Sequence, residues 1–214
     1  MEIVRLRADQ LDEATVMLGR AFHDDPAWRW IVPDPRRRRT LLPWLFRMGF
    51  EILEAELWTT AGPVLGASRW LPPGPPQVHV GAMLRAAVAT PLRAREATAR
   101  FLSYGRAVEA LRVRAAPWPH WYLAGIGVEP EEQRRGIGGA LLGPGIESAD
   151  AAGIPCALVT NTEANISFYE KHGFAVVREE ETPSGGPRAW ALVRPYPPAN
   201  RAASSDPPVA SPAL

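Results

Sequence analysis

The sequence predicts a single α/β domain built on a mixed sheet, and three observations carry that prediction. First, β-branched and aromatic runs alternate with amphipathic stretches in the order strand, helices, two strands, helices, strand, helix, strand, helix, two strands. Second, both paired-strand regions contain turn chemistry, Ala61-Gly62-Pro63 in one and Thr182-Pro183-Ser184-Gly185-Gly186-Pro187 in the other. Third, one strand-to-helix passage, from Trp121 onward, carries a glycine-containing loop between its two elements. A chain of 214 residues suits one domain with a real core.

Residues 2–7 alternate, with Ile3, Val4 and Leu6 apolar, and form the first strand. Asp9 is placed to cap a helix in which Leu11, Ala14, Leu18, Ala21 and Phe22 fall near helical spacing. His23, Asp24, Asp25 and Pro26 interrupt that helix. Trp28, Trp30 and Ile31 then occupy a loop or short turn before Pro33 and Pro35. The run Arg36-Arg37-Arg38-Arg39 lacks interleaved aromatics and reads as the solvated start of a helix rather than a nucleic-acid patch. Residues 41–56 continue as an amphipathic helix.

Residues 56–60 and 64–71 form a hairpin about Gly62, closed off by Pro72, Pro73, Pro75 and Pro76. Residues 78–114 are rich in Ala, Leu and Arg, and give two or three helices divided near Thr90-Pro91 and Gly105. Trp121–Val128 has the content of a buried strand. After the glycine loop, a helix with Leu141, Leu142, Ile146 and Ala149 inward runs to about residue 152, stopped by Gly153 and Pro155. Pro144 inside it removes one backbone bond. Residues 156–160 form a short buried strand and 164–172 a short helix with Gly173 as its C′ residue. Residues 174–178 and 188–193 form the last two strands. The domain thus spans 1–194, with a Pro/Ala/Ser-rich tail over 195–214 expected to be disordered.

Lys+Arg 24 against Asp+Glu 23 leaves a net charge of +1, which does not mark a nucleic-acid binder. Cys156 is the sole cysteine, so no intrachain disulfide can form, which favours a reducing compartment. The first residues lack the apolar core of a signal peptide, and no apolar run approaches the ~18 residues of a spanning helix. The expectation is a cytoplasmic protein without nucleic-acid or membrane partners, monomeric or homodimeric. His23, His79, His120 and His172 with Cys156 show no metal-ligand spacing, so no metal is expected.

The glycine loop carries the chemistry. Gln133-Arg134-Arg135-Gly136-Ile137-Gly138-Gly139 lies between strand and helix, where unpaired helix N–H groups suit a phosphate and glycine admits a bulky ligand. A P-loop is excluded, because no Gly-Lys-Ser/Thr is present and Lys171, the only lysine, lies far downstream. A dinucleotide fingerprint is excluded too: the third glycine is missing, and residues 156–160 end without a carboxylate. What remains is Gln/Arg-x-x-Gly-x-Gly/Ala after a strand.

That loop, Ile126-Gly127-Val128 before it, and Asn165-Ile166-Ser167-Phe168-Tyr169-Glu170-Lys171-His172-Gly173-Phe174 after the next strand resemble the GNAT superfamily of acyl-coenzyme-A-dependent N-acetyltransferases. The resemblance covers residues 121–194. It looks closest to the puromycin N-acetyltransferase branch through Pro144-Gly145 and Gly186-Pro187-Arg188-Ala189-Trp190. The resemblance implies a single GNAT-like domain whose mixed, mostly antiparallel sheet splays at its central strand. It also makes 78–116 a helical insertion near the acceptor site.

The implied cofactor is acetyl-CoA, held by Ile126, Gly127, Val128, Gln133, Arg134, Arg135, Gly136, Ile137, Gly138, Gly139, Asn165 and Tyr169. Gly136 and Gly138 are expected because a Cβ would crowd the diphosphate, and Gly125 and Gly127 suit a bulge that splays the strand. The Val128 N–H would hold the thioester oxygen and Tyr169 would act as general acid toward the departing thiolate. The competing reading of Tyr169 is a core aromatic. Phe22, Asp24, Trp28 and Trp30 are the candidates for binding a small-molecule amine acceptor, and Trp28 and Trp30 suit the core equally well. No base is identified; His23, Asp24, Asp25 and His120 are open. The implied function is transfer of acetyl to a small molecule's primary amine in a direct ternary complex. Acetylation of a protein N-terminus or lysine, and non-catalytic acyl-CoA binding, are the alternatives.

Overall fold

The structure, a computed structural model, describes residues 1–196. All of the expected tail beyond Tyr196 lies outside the described residues. Among the described residues seven strands form one sheet in the order β1-β2-β3-β4-β5-β7-β6. They are β1 (Ile3–Arg5), β2 (Glu56–Thr60), β3 (Gly66–Leu71), β4 (Trp121–Val128), β5 (Cys156–Thr160), β6 (Ala175–Glu181) and β7 (Arg188–Arg194). Every pairing is antiparallel except β4 with β5. The helices are α1 (Leu11–Ala21), α2 (Pro26–Ile31), α3 (Pro35–Ile52), α4 (Val80–Ala94), α5 (Ala97–Ala115), α6 (Ile137–Ala152) and α7 (Ile166–Glu170).

The sheet buries both faces, so two cores form. On one face Trp70, Leu123, Leu142, Leu158 and Leu192 join β3, β4, β5 and β7 to α6, with Tyr169 and Phe174 at its margin. On the other, Met17 and Leu18 of α1 pack over Ala67 of β3, with Phe46 and Phe50 of α3 beside them. Helices α4 and α5 extend this second layer. Ala94 and Ala97 close over α2 and α3, and Leu111 packs on Ala189 and Ala191 of β7.

Three local expectations change. Trp28 and Trp30 lie in the helix α2, not in a loop. Asp25 caps it by accepting from the Ala27 and Trp28 N–H groups at 2.9 and 3.2 Å, and Pro26 supplies a preset first residue. The arginine run opens α3, but Arg38 is buried and not solvated. It donates to the carbonyls of His23, Val32 and Pro33 at 2.5, 2.7 and 3.1 Å. Residues 78–114 hold two helices parted at Arg95, with Pro91 inside α4 and Gly105 inside α5. Among the described residues no helix is long and apolar enough to cross a membrane.

Candidate functional site

The site begins where the sheet comes apart. β4 pairs with β5 only through Trp121, Tyr122 and Leu123. The register with β3 then slips, Arg69 facing Gly125 but Trp70 facing Leu123, which leaves Ala124 as the extra residue of a bulge. The expectation placed that bulge at Gly125 and Gly127. Beyond it β4 remains paired to β3, while its β5-facing edge is open. The Glu129 N–H donates to the Leu65 carbonyl at 2.9 Å, so by strand alternation the Val128 N–H points the other way, into the opening. The Val128 carbonyl on that side accepts from Gln133 Nε2 at 3.2 Å, which ties the loop to the strand.

The loop enters α6 through two left-handed residues, Arg134 at φ +64° and Gly136 at φ +83°. The first helical bond runs from the Ala140 N–H to the Gly136 carbonyl at 3.1 Å. The N–H groups of Ile137, Gly138 and Gly139 therefore have no acceptor within the helix, and together with the helix dipole they suit an anion. The two expected glycines are needed for different reasons. A Cβ at Gly136 would meet no protein atom within 4 Å, and the constraint the protein itself sets there is the φ of +83°. A Cβ at Gly138 would stand 3.3 Å from the Phe168 ring, so α7 packs on this turn.

These parts enclose a cleft of about 660 Å³. Ile126, Gly127 and Val128 form its strand wall, and Gln133, Arg134, Gly136, Ile137, Gly138 and Gly139 its floor. Asn165, Phe168 and Tyr169 come from α7 and the turn before it; Phe22, Asp24 and Asp25 come from the corner between α1 and α2. Three expected residues lie elsewhere. Arg135 turns outward and pairs with Glu132 at 2.7 Å. Trp28 lines a neighbouring pocket. Trp30 packs in the α2–α3 core beneath the Arg100 guanidinium, 5.6 Å from its ring centroid, and lines neither space.

Tyr169 is buried yet lines the cleft, so it is both a core aromatic and a wall residue. Burial pushes its phenol above the ordinary value, and the negative charge of Asp25 adds to the shift. Burial likewise raises the Asp25 carboxyl, against the two N–H groups it caps, which lower it. Asp25 is thus the carboxylate of the cleft whose affinity for a proton is raised. Asp24 beside it is exposed, 3.8 Å from Arg38. His120 is away from the cleft, its Nε2 2.8 Å from Arg112 and its Nδ1 2.7 Å from the Trp118 carbonyl.

The neighbouring pocket, about 180 Å³, lies on the α1–α3 face of β4. Phe22 is shared by both spaces, and Ala124 and Gly125 form the pocket's strand wall. Phe46, Phe50 and Phe101 line it with Trp28, Phe101 stacking on Trp28 at 6.1 Å between centroids. Sequence periodicity marks these rings as apolar helix positions and says nothing of a shared space. Asp25 left a readable signal, an Asp before a Pro at a helix start, but that signal announces a cap and not a cleft carboxylate.

The sequence model of the acetyltransferase (GNAT) family matches residues 80–174. Solved structures share the fold. One described as histone acetyltransferase HPA2 and related acetyltransferase, from Corynebacterium glutamicum, is 17% identical with a TM-score of 0.63, over 90% of this chain and 94% of its own. A mosquito arylalkylamine N-acetyltransferase like 5b is 14% identical with a TM-score of 0.54, over 90% and 99%. An agmatine N-acetyltransferase is 13% identical with a TM-score of 0.54, over 90% and 98%. The described residues adopt a GNAT-like α/β fold, a seven-stranded mixed sheet flanked by helices.

Proposed function

We propose that this chain is an N-acetyltransferase that moves acetyl from acetyl-CoA to a primary amine of a small molecule in a direct ternary complex. The observation that carries the reading is the open edge of β4 running into the unpaired N–H groups of α6, with Tyr169 on the same cleft. Acetyl-CoA, once bound, supplies the acetyl group as an activated thioester. The N–H groups of Ile137, Gly138 and Gly139 would hold its diphosphate, and Arg134 would add charge. The edge of Ile126 to Val128 would pair with the pantetheine arm, and Asn165 lies where it can bond to that arm.

The Val128 N–H is fixed toward the opening and would steady the thioester oxygen. Asp25 would accept the proton of the incoming amine. Tyr169 would donate one to the departing thiolate. Burial keeps the phenol protonated, so it holds a proton to give. Cys156 supports direct transfer over an acyl-enzyme. It is buried in β5, and burial pushes its thiol up to about 12.

The α5 residue Phe101 walls the aromatic pocket, which favours a small acceptor over a polypeptide. The sequence likeness to the puromycin N-acetyltransferase branch supports that side of the reading without naming an acceptor. Calorimetry with acetyl-CoA and a thiol-release assay over an amine panel test the proposal. Binding together with intersecting initial-rate patterns is the expected result. Failure to bind acetyl-CoA would overturn the reading, and parallel patterns would overturn its ternary complex.

A further inference from the structure

We infer that the aromatic pocket receives the acceptor through a carboxylate paired with Arg69, so that the acceptor is a small amino carboxylate with an apolar body. This rests on the acetyl-transfer reading above for the fate of the amine, but not for the pocket itself.

Arg69 sits on the α1–α3 face of β3 and lines the pocket. Its surroundings differ from those of the buried arginines Arg38 and Arg194. Arg38 is satisfied by three carbonyls, and Arg194 by both oxygens of Asp150 at 2.6 and 2.9 Å. Arg69 forms no ion pair among the described residues. Its Nη2 reaches the Leu53 carbonyl only at 3.4 Å, and its buried Nε has no acceptor. The Phe50 ring lies 5.7 Å from its Cζ, a weak cation–π contact. The titratable neighbour that acts on it is Tyr122, whose own phenol burial keeps protonated. Desolvation accordingly drags the guanidinium down to about 10.

A buried charge is normally paired, and a guanidinium's fork matches a carboxylate in two parallel bonds. Among the described residues Arg69 is the one charged residue lining a pocket otherwise walled by Leu18, Phe22, Trp28, Phe46 and Phe101. The space, about 180 Å³, is on the scale of the roughly 150 Å³ that holds a benzene. One ring or one branched alkyl group therefore fits. Phe22 borders both the pocket and the cleft, and β4 passes from Ala124 and Gly125 in the pocket to Val128 in the cleft. With its carboxylate on Arg69 and its body among the rings, the acceptor points its amine past Phe22 toward the thioester position.

The test compares matched pairs, phenylalanine with phenethylamine and leucine with isoamylamine, in turnover and in direct binding. Binding is read from tryptophan fluorescence, since Trp28 lines the pocket. The carboxylate should raise kcat/KM and affinity roughly ten- to hundredfold. Arg69→Gln should abolish that difference while leaving the acetyl-CoA dissociation constant unchanged, and Arg69→Lys should restore part of it. A thermal melt of each variant shows that it is folded. Equal use of the decarboxylated amines, or a peptide N-terminus preferred over every free amino acid, overturns the inference while acetyl transfer stands. Carboxylate- and Arg69-dependent binding without turnover of any amine overturns the transfer reading while the pocket assignment stands. Absence of both turnover and carboxylate-dependent binding overturns the inference.

Discussion

The indole of Trp70 lies flat against the backbone of Gly145. A Cβ built on Gly145 would stand 2.1 Å from Trp70 Cδ2 and 2.2 Å from Cε2. Trp70 is wholly buried in the middle of the sheet, so neither partner has room to give. The preceding Pro144 loosens α6 in the same turn, and Ser68 Oγ donates to the Leu141 carbonyl there at 2.9 Å. The Pro-Gly pair thus sets how closely α6 lies on β3. Gly145→Ala should destabilise the fold by about 1–3 kcal/mol or more through overpacking, read as a lower melting temperature. Combining it with Trp70→Phe should recover part of the loss. An unchanged melting temperature in the single variant would show that the contact is slack.

What the sequence revealed followed range. The hairpin about Gly62, the passage from β4 into α6 and the Gly173 stop of α7 all rest on neighbours within a few residues, and all are present. The cleft wall from Ile126 to Gly139 was legible for the same reason. Arg38 was not, because its acceptors are carbonyls of a corner that folds back upon it. Nor was the bulge at Ala124, which is fixed by how β3 and β4 align and not by a glycine. The aromatic pocket draws Phe46 and Phe101 from two helices and Phe22 from the corner after α1, and no local pattern distinguishes such rings from core.

Gly136 and Gly138 should fail differently. Gly136→Ala meets no atom but must hold φ +83°, at a cost of about 1–2 kcal/mol. It should weaken acetyl-CoA binding and leave turnover at saturation near normal. Gly138→Ala must push Phe168, whose ring centroid is 5.1 Å from that of Tyr169. It should lower kcat as well as affinity. Titration calorimetry beside saturation kinetics separates the two, and identical profiles would contradict the packing argument.

Asp25→Asn should keep the fold, because asparagine caps a helix about as well as aspartate. The rate should drop about 10²-fold or more if Asp25 takes the amine's proton. In the wild type, the acid limb of the rate should begin above the ordinary carboxylate value of about 3.9, since burial raises this group. Stability carries the same sign. A carboxyl raised in the folded state favours folding below its unfolded value, and that contribution is lost as pH rises through its folded value. Asp25→Asn should therefore gain stability relative to wild type as pH rises from acid to neutral. A gain that grows toward low pH would reverse the assignment.

Tyr169→Phe removes one oxygen from a buried ring and leaves its contacts with Phe168 and Phe174 in place. Acetyl-CoA affinity should change little, because the diphosphate cradle and the β4 edge are untouched. Turnover should fall about 10²- to 10⁴-fold if the phenol protonates the thiolate. The leaving group provides the discriminating measurement. An acyl donor whose thiol is more acidic needs no proton as it departs, so the variant's deficit should shrink with such a donor. Because burial and the charge of Asp25 hold the phenol above its usual pKa of about 10, Tyr169 should produce no loss of rate between pH 7 and 9. An alkaline limb in that range that disappears in Tyr169→Phe would overturn the raised pKa and keep the donor role, because such a limb marks a group that must be protonated. A Tyr169-dependent rise of rate with pH would instead mark the phenol as a base.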